Sequence, residues 1–206
     1  WRRDLECGKI LWKSDRDGHA HLYLYDRKTG KCAQVTKGNY WVRGVQHVEI
    51  DKKGKGYVIF SANGMNCKNM GVVASSFDGE IEQEDPYNVH YYKIGLNGKN
   101  LVSLTPERGN HSITLNADKP TLIDTYSSVD KAPVTVLRSA VDGKIIKTLE
   151  TADISKLKAN GWSEPEVFVA PGRDGKTDMW GIIQRPQNFD PTKKYPVIEY
   201  IYSGPG

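Results

Sequence analysis

The sequence predicts a mainly β fold, a partial β-propeller of about three blades, each a four-stranded antiparallel sheet. Two observations predict it. Short runs of alternating apolar and polar residues recur between turn dipeptides along most of the 206 residues, the pattern of half-buried strands. Three stretches also repeat one sentence of strand, Gly-Lys turn, strand and polar end: Leu22 to Thr36, Val89 to Thr105 and Val134 to Leu149. Thr105 and Leu149 are 44 residues apart, within the roughly 40 to 50 residue period of propeller blades. A blade cannot bury both faces alone, so repeats of this kind stack around an axis.

In chain order the predicted strands are Ile10 to Lys13, His21 to Tyr25, Cys32 to Val35, Tyr57 to Ser61, Val89 to Ile94, Thr121 to Tyr126 and Val134 to Leu137. Asp17-Gly18, Asn97-Gly98, Asp142-Gly143 and Asp174-Gly175 supply the left-handed residues of tight reversals. Thr36 and Thr105 are 69 residues apart, an excess over one blade that places an insertion between Ser61 and Asn88. One helix is predicted, Asp153 to Asn160, with Thr151 or Asp153 at its start and Gly161 at its end. From Gln184 to Pro196 the chain is polar and proline-rich, the composition of a crossing between structural units. Tyr195-Pro-Val-Ile-Glu-Tyr-Ile-Tyr-Ser-Gly-Pro-Gly then reads as a buried strand that delivers Tyr202 to a Gly-Pro-Gly turn, with Tyr200 packing on the same face.

Composition excludes several classes. With 38% apolar and 26% charged residues the chain can bury a core, and disorder is not expected. Lys and Arg total 29 against 25 Asp and Glu and lie scattered among turns, so no nucleic-acid footprint is present. No apolar run approaches the ~20 residues of a membrane span, and Trp1-Arg-Arg-Asp does not begin a signal peptide. Cys7, Cys32 and Cys67 lack zinc or redox spacing, which leaves their disulfide state and the compartment open. His19, His21, His47, His90 and His111 show no metal-ligand pattern and are expected to hydrogen-bond in turns or across strands. Glu80, Glu82 and Glu84 read as a solvated acidic face. No cofactor or metal is expected.

Specific words along the chain carry a family resemblance. Ser14-Asp-Arg-Asp-Gly-His-Ala-His-Leu-Tyr-Leu-Tyr-Asp, Val35-Thr-Lys-Gly, Asn110-His-Ser-Ile, Asp124-Thr-Tyr-Ser-Ser, Trp180-Gly-Ile-Ile, Pro186-Gln-Asn-Phe-Asp-Pro, Lys194-Tyr-Pro-Val and Tyr202-Ser-Gly-Pro occur in this order. In that order the chain resembles the prolyl oligopeptidase family of serine peptidases, in its dipeptidyl peptidase IV branch. The resemblance implies that residues 1 to 178 are the C-terminal blades of a propeller, with an insertion at about 61 to 88. Residues 179 to 206 would be a linker and the first strand of an α/β-hydrolase domain that continues past Gly206, with further blades upstream of Trp1.

It also implies a parent serine exopeptidase that removes N-terminal dipeptides after Pro or Ala, its propeller restricting entry to short peptides. Tyr202 would give its hydroxyl to the oxyanion hole, a role typically worth ~3 to 4 kcal/mol of barrier. No Gly-x-Ser-x-Gly elbow occurs in the sequence, so the nucleophile, acid and base are expected beyond Gly206, and the chain by itself is expected to be inactive. No Glu-Glu dipeptide occurs either; in the dipeptidyl branch such a pair anchors the substrate amine, so it too is expected elsewhere. Export and homodimerisation of the parent follow from the resemblance alone. The alternatives are a non-catalytic propeller that binds a protein or glycan, and an oligopeptidase or acylaminoacyl peptidase of the same family.

Overall fold

A computed structural model describes residues 1–65, 74–76, 79–81 and 85–201, with side chains omitted at 74–76 and 79–81. Cys67, Glu82, Glu84 and Tyr202 lie outside the described residues, as do the side chains of Glu80 and of the other insertion residues from 66 to 84. Three four-stranded meanders follow one another. The first comprises β1 (Arg2–Leu5), β2 (Lys9–Ser14), β3 (His21–Asp26) and β4 (Cys32–Gln34) in sequence order. The second comprises β5 (Trp41–Ile50), β6 (Gly56–Asn63), β9 (Val89–Gly95) and β10 (Val102–Ser103). The third comprises β11 (Asn110–Leu115), β12 (Thr121–Ser128), β13 (Lys131–Ser139) and β14 (Ile145–Thr151). All their pairings are antiparallel. The expected stack of about three blades is the observed architecture.

Stacking decides which faces are buried. Along β6, Val58, Phe60 and Ala62 join a core with Leu11, Leu22 and Leu24 of the first blade. Ile59, one residue out of phase, packs with Leu104 and Leu122 toward the third. The middle blade is therefore covered on both sides, and its central strand is nearly continuous apolar sequence. The third blade alternates instead: Leu122, Asp124 and Tyr126 are buried while Ile123 is 44% exposed, because no neighbour covers its far face among the described residues.

The Gly-Lys turns explain the repeat. Gly98 has φ +75° and a Cβ there would lie 3.3 Å from the Val35 carbonyl oxygen. Gly143 has φ +76° and a Cβ there would lie 2.6 Å from the Ser103 carbonyl oxygen. In both cases the outer hairpin of one blade presses on the end of the outer strand of the blade before it, and only glycine permits the approach and the left-handed backbone. Gly30, the first-blade counterpart, has φ +70° and only the Tyr25 hydroxyl within reach, at 4.0 Å.

Three sequence expectations need correction. The helix α1 spans Ser155–Ala159, shorter than Asp153 to Asn160. Asp153 remains outside it because its carboxylate accepts the Ser155 backbone N–H at 2.9 Å, while Gly161 ends it with φ +83° as expected. Second, β15 (Glu166–Pro171) and β16 (Asp178–Ile183) form one antiparallel hairpin, so the expected division between 178 and 179 falls inside a strand. Two further short strands, β7 (Ala74–Ser76) and β8 (Gly79–Ile81), lie in the insertion, and β7 runs parallel to β15 in this fourth sheet.

The third correction concerns residues 196–201, which are not a strand and are not buried. Val197 is 89%, Ile198 94% and Tyr200 99% exposed. A β-branched run becomes a strand only where another edge accepts its backbone hydrogen bonds, and none of the described residues pairs with it.

Candidate functional site

Each meander has two kinds of end. Tight turns close one end, at residues 6–8, 27–31, 51–55, 96–101, 116–120 and 140–144. The longer connections, 15–20, 35–40, 64–88 and 104–109, join strand ends at the other, together with the short turn at 129–130. Neighbouring blades align these ends, since Val42 N–H donates to the Ala20 carbonyl at 2.9 Å and Val89 N–H donates to the Asn110 side-chain oxygen at 3.0 Å. The chain also leaves the third blade there, after Thr151, toward α1 and the β15–β16 hairpin. Binding residues concentrate on such loops held by a rigid scaffold.

At this loop face lies a crevice of about 340 Å³. Arg108, Asn110, Ser127, Ser128 and Asp130 of the third blade form one wall, with Asp85 and Asn88 beside them and Val129, Val167 and Ile182 as the apolar part. Arg108 Nη2 donates to Asp130 Oδ2 at 2.6 Å, and Ser128 Oγ donates to Asp130 Oδ1 at 2.5 Å. Burial alone would raise the Asp130 carboxyl, but the Arg108 and Ser128 hydrogen bonds outweigh it and hold the group below the usual carboxylate value. The pair is therefore ionised at neutral pH.

Beneath the crevice is a polar cluster whose Arg138, Asp124 and His111 side chains are fully buried. Arg138 and Asp124 have no exposed side-chain surface; Arg138 Nε donates to Asp124 Oδ2 at 2.8 Å and Nη1 to the Gly143 carbonyl at 2.9 Å. Its other terminal nitrogen pairs with the Glu107 carboxylate. Desolvation works against the guanidinium, and the two carboxylates more than offset it, so its pKa is raised. His111 Nδ1 lies 3.0 Å from both Asp124 oxygens and Nε2 lies 2.8 Å from the Glu107 carbonyl oxygen. The Tyr126 ring stacks on His111 with centroids 4.8 Å apart. A histidine beside an aspartate suggests two members of a hydrolytic triad, but this imidazole is sealed from solvent with both nitrogens engaged, so it holds the blade together and cannot serve a substrate.

The other histidines are placed as follows. His21 Nε2 lies 3.0 Å from the Gly38 carbonyl and Nδ1 3.1 Å from Thr36 Oγ1; burial, the largest influence, lowers its pKa against the raising effect of Gly38. His90 Nδ1 lies 2.7 Å from the Thr105 carbonyl. His19 packs on Trp41 and His47 on Tyr57. Among the described residues no three His, Cys, Asp or Glu side chains gather as metal ligands.

The sequence reading missed Arg108, Asp130 and the cluster below them. Its signal was present: Asp124 falls in phase with Leu122 and Tyr126, and Arg138 with Val134 and Val136, so a charge stood at an inward position on each of two adjacent strands.

The family model described as the dipeptidyl peptidase IV N-terminal region matches residues 5–133, more than half of the chain. The chain belongs to that family. Dipeptidyl peptidase 4 of Arthroderma otae is 26% identical over 196 residues, covering 94% of this chain and 22% of the relative. Among solved structures, dipeptidyl peptidase 4 of Porphyromonas gingivalis has a TM-score of 0.68 at 22% identity, covering 95% of this chain and 24% of that one. A Bacteroides ovatus protein described as a dipeptidyl aminopeptidase IV has a TM-score of 0.66 at 27% identity, covering 92% and 26%. The chain thus spans about a quarter or less of the length of these relatives. The crevice and the buried cluster both include residues of the matched region, which ends at Pro133, the third residue of β13.

Proposed function

We propose that this chain is the C-terminal section of a propeller, joined to the opening of the catalytic unit, in a serine peptidase that removes N-terminal dipeptides after Pro or Ala. The observation that carries the reading is the family match over residues 5–133, together with relatives named dipeptidyl peptidase 4 that align along 94% of the chain. We place the start of the catalytic unit between α1 and β15, because a boundary does not divide a hydrogen-bonded hairpin. The propeller's part is steric: its loop face borders the crevice and limits entry to short or unfolded peptides. Tyr202 supplies the oxyanion-hole hydroxyl, and the nucleophile, acid and base come from sequence after Gly206. Export and homodimerisation belong to the same proposal.

The test is the full-length protein from the parent gene, assayed on Gly-Pro- and Ala-Ala-p-nitroanilide with and without a serine-directed fluorophosphonate. Release of nitroaniline that the inhibitor abolishes, and that Tyr202→Phe reduces with an unchanged melting curve, supports the reading. A folded full-length protein that hydrolyses neither substrate refutes it.

A further inference from the structure

We infer that the loop-face crevice is a peptide subsite in which Arg108 donates hydrogen bonds to backbone carbonyls of the ligand beyond its first two residues. This deepens the peptidase reading and rests on it for the identity of the ligand as substrate. Arg108 is presented by a segment fixed residue by residue. Glu107 before it is tied to Arg138 through its carboxylate and to His111 through its carbonyl. Gly109 after it has φ +135°, and a Cβ there would meet the Ser127 carbonyl oxygen at 2.7 Å. Asn110 is bonded to Val89 N–H of the middle blade. The backbone on both sides of Arg108 is thus held by buried or inter-blade contacts, and Asp130 fixes the far end of its side chain.

A guanidinium ordered in advance pays little entropy when it binds, and it offers N–H groups in a planar fork. The surrounding charge selects the ligand. Asp130 already balances Arg108, and Asp85 adds a second acid to the same crevice, so a phosphate or other strong anion meets no net attraction. A neutral peptide carbonyl needs only the N–H donors. Val129, Val167 and Ile182 provide an apolar wall for one side chain. The volume of about 340 Å³ sits at the lower end of ligand pockets, roughly 300 to 1,000 Å³, enough for a residue or two of extended chain.

The experiment compares full-length protein carrying Arg108→Ala or Arg108→Lys on two substrates, Gly-Pro-p-nitroanilide and the pentapeptide Ala-Pro-Ala-Val-Gly. Lysine retains a charge for Asp130 and protects the fold while losing the fork. Expected is a KM for the pentapeptide raised about tenfold more than that for the anilide, in both variants. Equal shifts on the two substrates, or none, overturn the subsite. If the parent hydrolyses neither substrate, the peptidase reading has failed, and fluorescence anisotropy of the labelled pentapeptide on the folded full-length protein decides the crevice by itself. Binding weakened about tenfold by Arg108→Ala supports it; binding that is absent or unchanged by the variant overturns it.

Discussion

Replacing Asp124 with alanine removes the acceptor at the centre of the third blade. Asp124 is fully buried and receives Arg138 Nε at 2.8 Å and His111 Nδ1 at 3.0 Å. Its loss leaves a buried guanidinium held by Glu107 and the Gly143 carbonyl, and an imidazole held only by the Glu107 carbonyl. Breaking a buried ion pair on one side costs about 3 to 5 kcal/mol; the partners Arg138 retains put Asp124→Ala near ~3 kcal/mol. The double variant Asp124→Leu with Arg138→Met replaces the pair by apolar groups of similar size, which is often close to neutral. It should therefore be less destabilised than either single variant, with a coupling of ~2 kcal/mol or more in the double-mutant cycle. Urea denaturation followed by tryptophan fluorescence measures both, provided the slope is unchanged so that the midpoint reports stability alone. A cost below ~1 kcal/mol for Asp124→Ala, or strict additivity of the two singles, would refute the view that this cluster is a coupled buried unit.

The inter-blade turns give a paired comparison: Gly143→Ala adds a clash with Ser103 to a left-handed backbone and should cost ~2 to 4 kcal/mol, whereas Gly30→Ala, left-handed but open, should cost ~1 kcal/mol. Equal losses in thermal unfolding would show that strain alone, not the approach of blades, requires glycine. Thr36 and Thr105 hold equivalent places, each hydroxyl accepting a backbone N–H at 2.8 Å, from Leu22 and Tyr91 respectively. Thr→Val at either site should cost ~1 to 3 kcal/mol, and Thr→Ser much less; a large difference between the two sites in denaturant midpoint would refute their equivalence. For Asp130 the folded pKa lies below the unfolded value, so its contribution is present above about pH 4 and is lost as pH falls through the folded value. Melting curves from pH 7 to pH 2.5 should show wild type losing more stability in acid than Asp130→Asn, and parallel curves would contradict this.

Much of the scaffold was legible in the sequence, and the failures share a cause. Strands that are central in their blades, such as β3, β6, β9, β12 and β13, face a neighbour on at least one side and show the pattern plainly. Apart from β4, which the sequence reading placed at Cys32 to Val35, first and last strands do not. β14 is exposed at every residue and has no apolar phase to read. β5 carries two register shifts, between Val42 and Gly44 and between Val45 and His47, which break a period-two pattern even though eight of its ten residues remain paired. The opposite error occurred at 196–201, where strong β propensity met no accepting edge, so propensity alone predicted a strand that pairing does not supply.

The polar residues failed for a different reason. Arg108 and Asp130 are unremarkable in sequence, 22 residues apart in two separate loops. What brings them together is the register of β11 on β12, with Asn110 opposite Ser127, and the tight turn that follows β12. That register is specified in part by the buried charges: a shift of one residue would turn Asp124 outward and leave Arg138 unpaired in an apolar layer. The cluster below thus does two jobs with one set of atoms. It penalises any other alignment of the third blade, and through Glu107 it sets where Arg108 stands at the loop face. Substitutions at Asp124 or Arg138 are therefore expected to disturb binding at the crevice without any of their atoms reaching it.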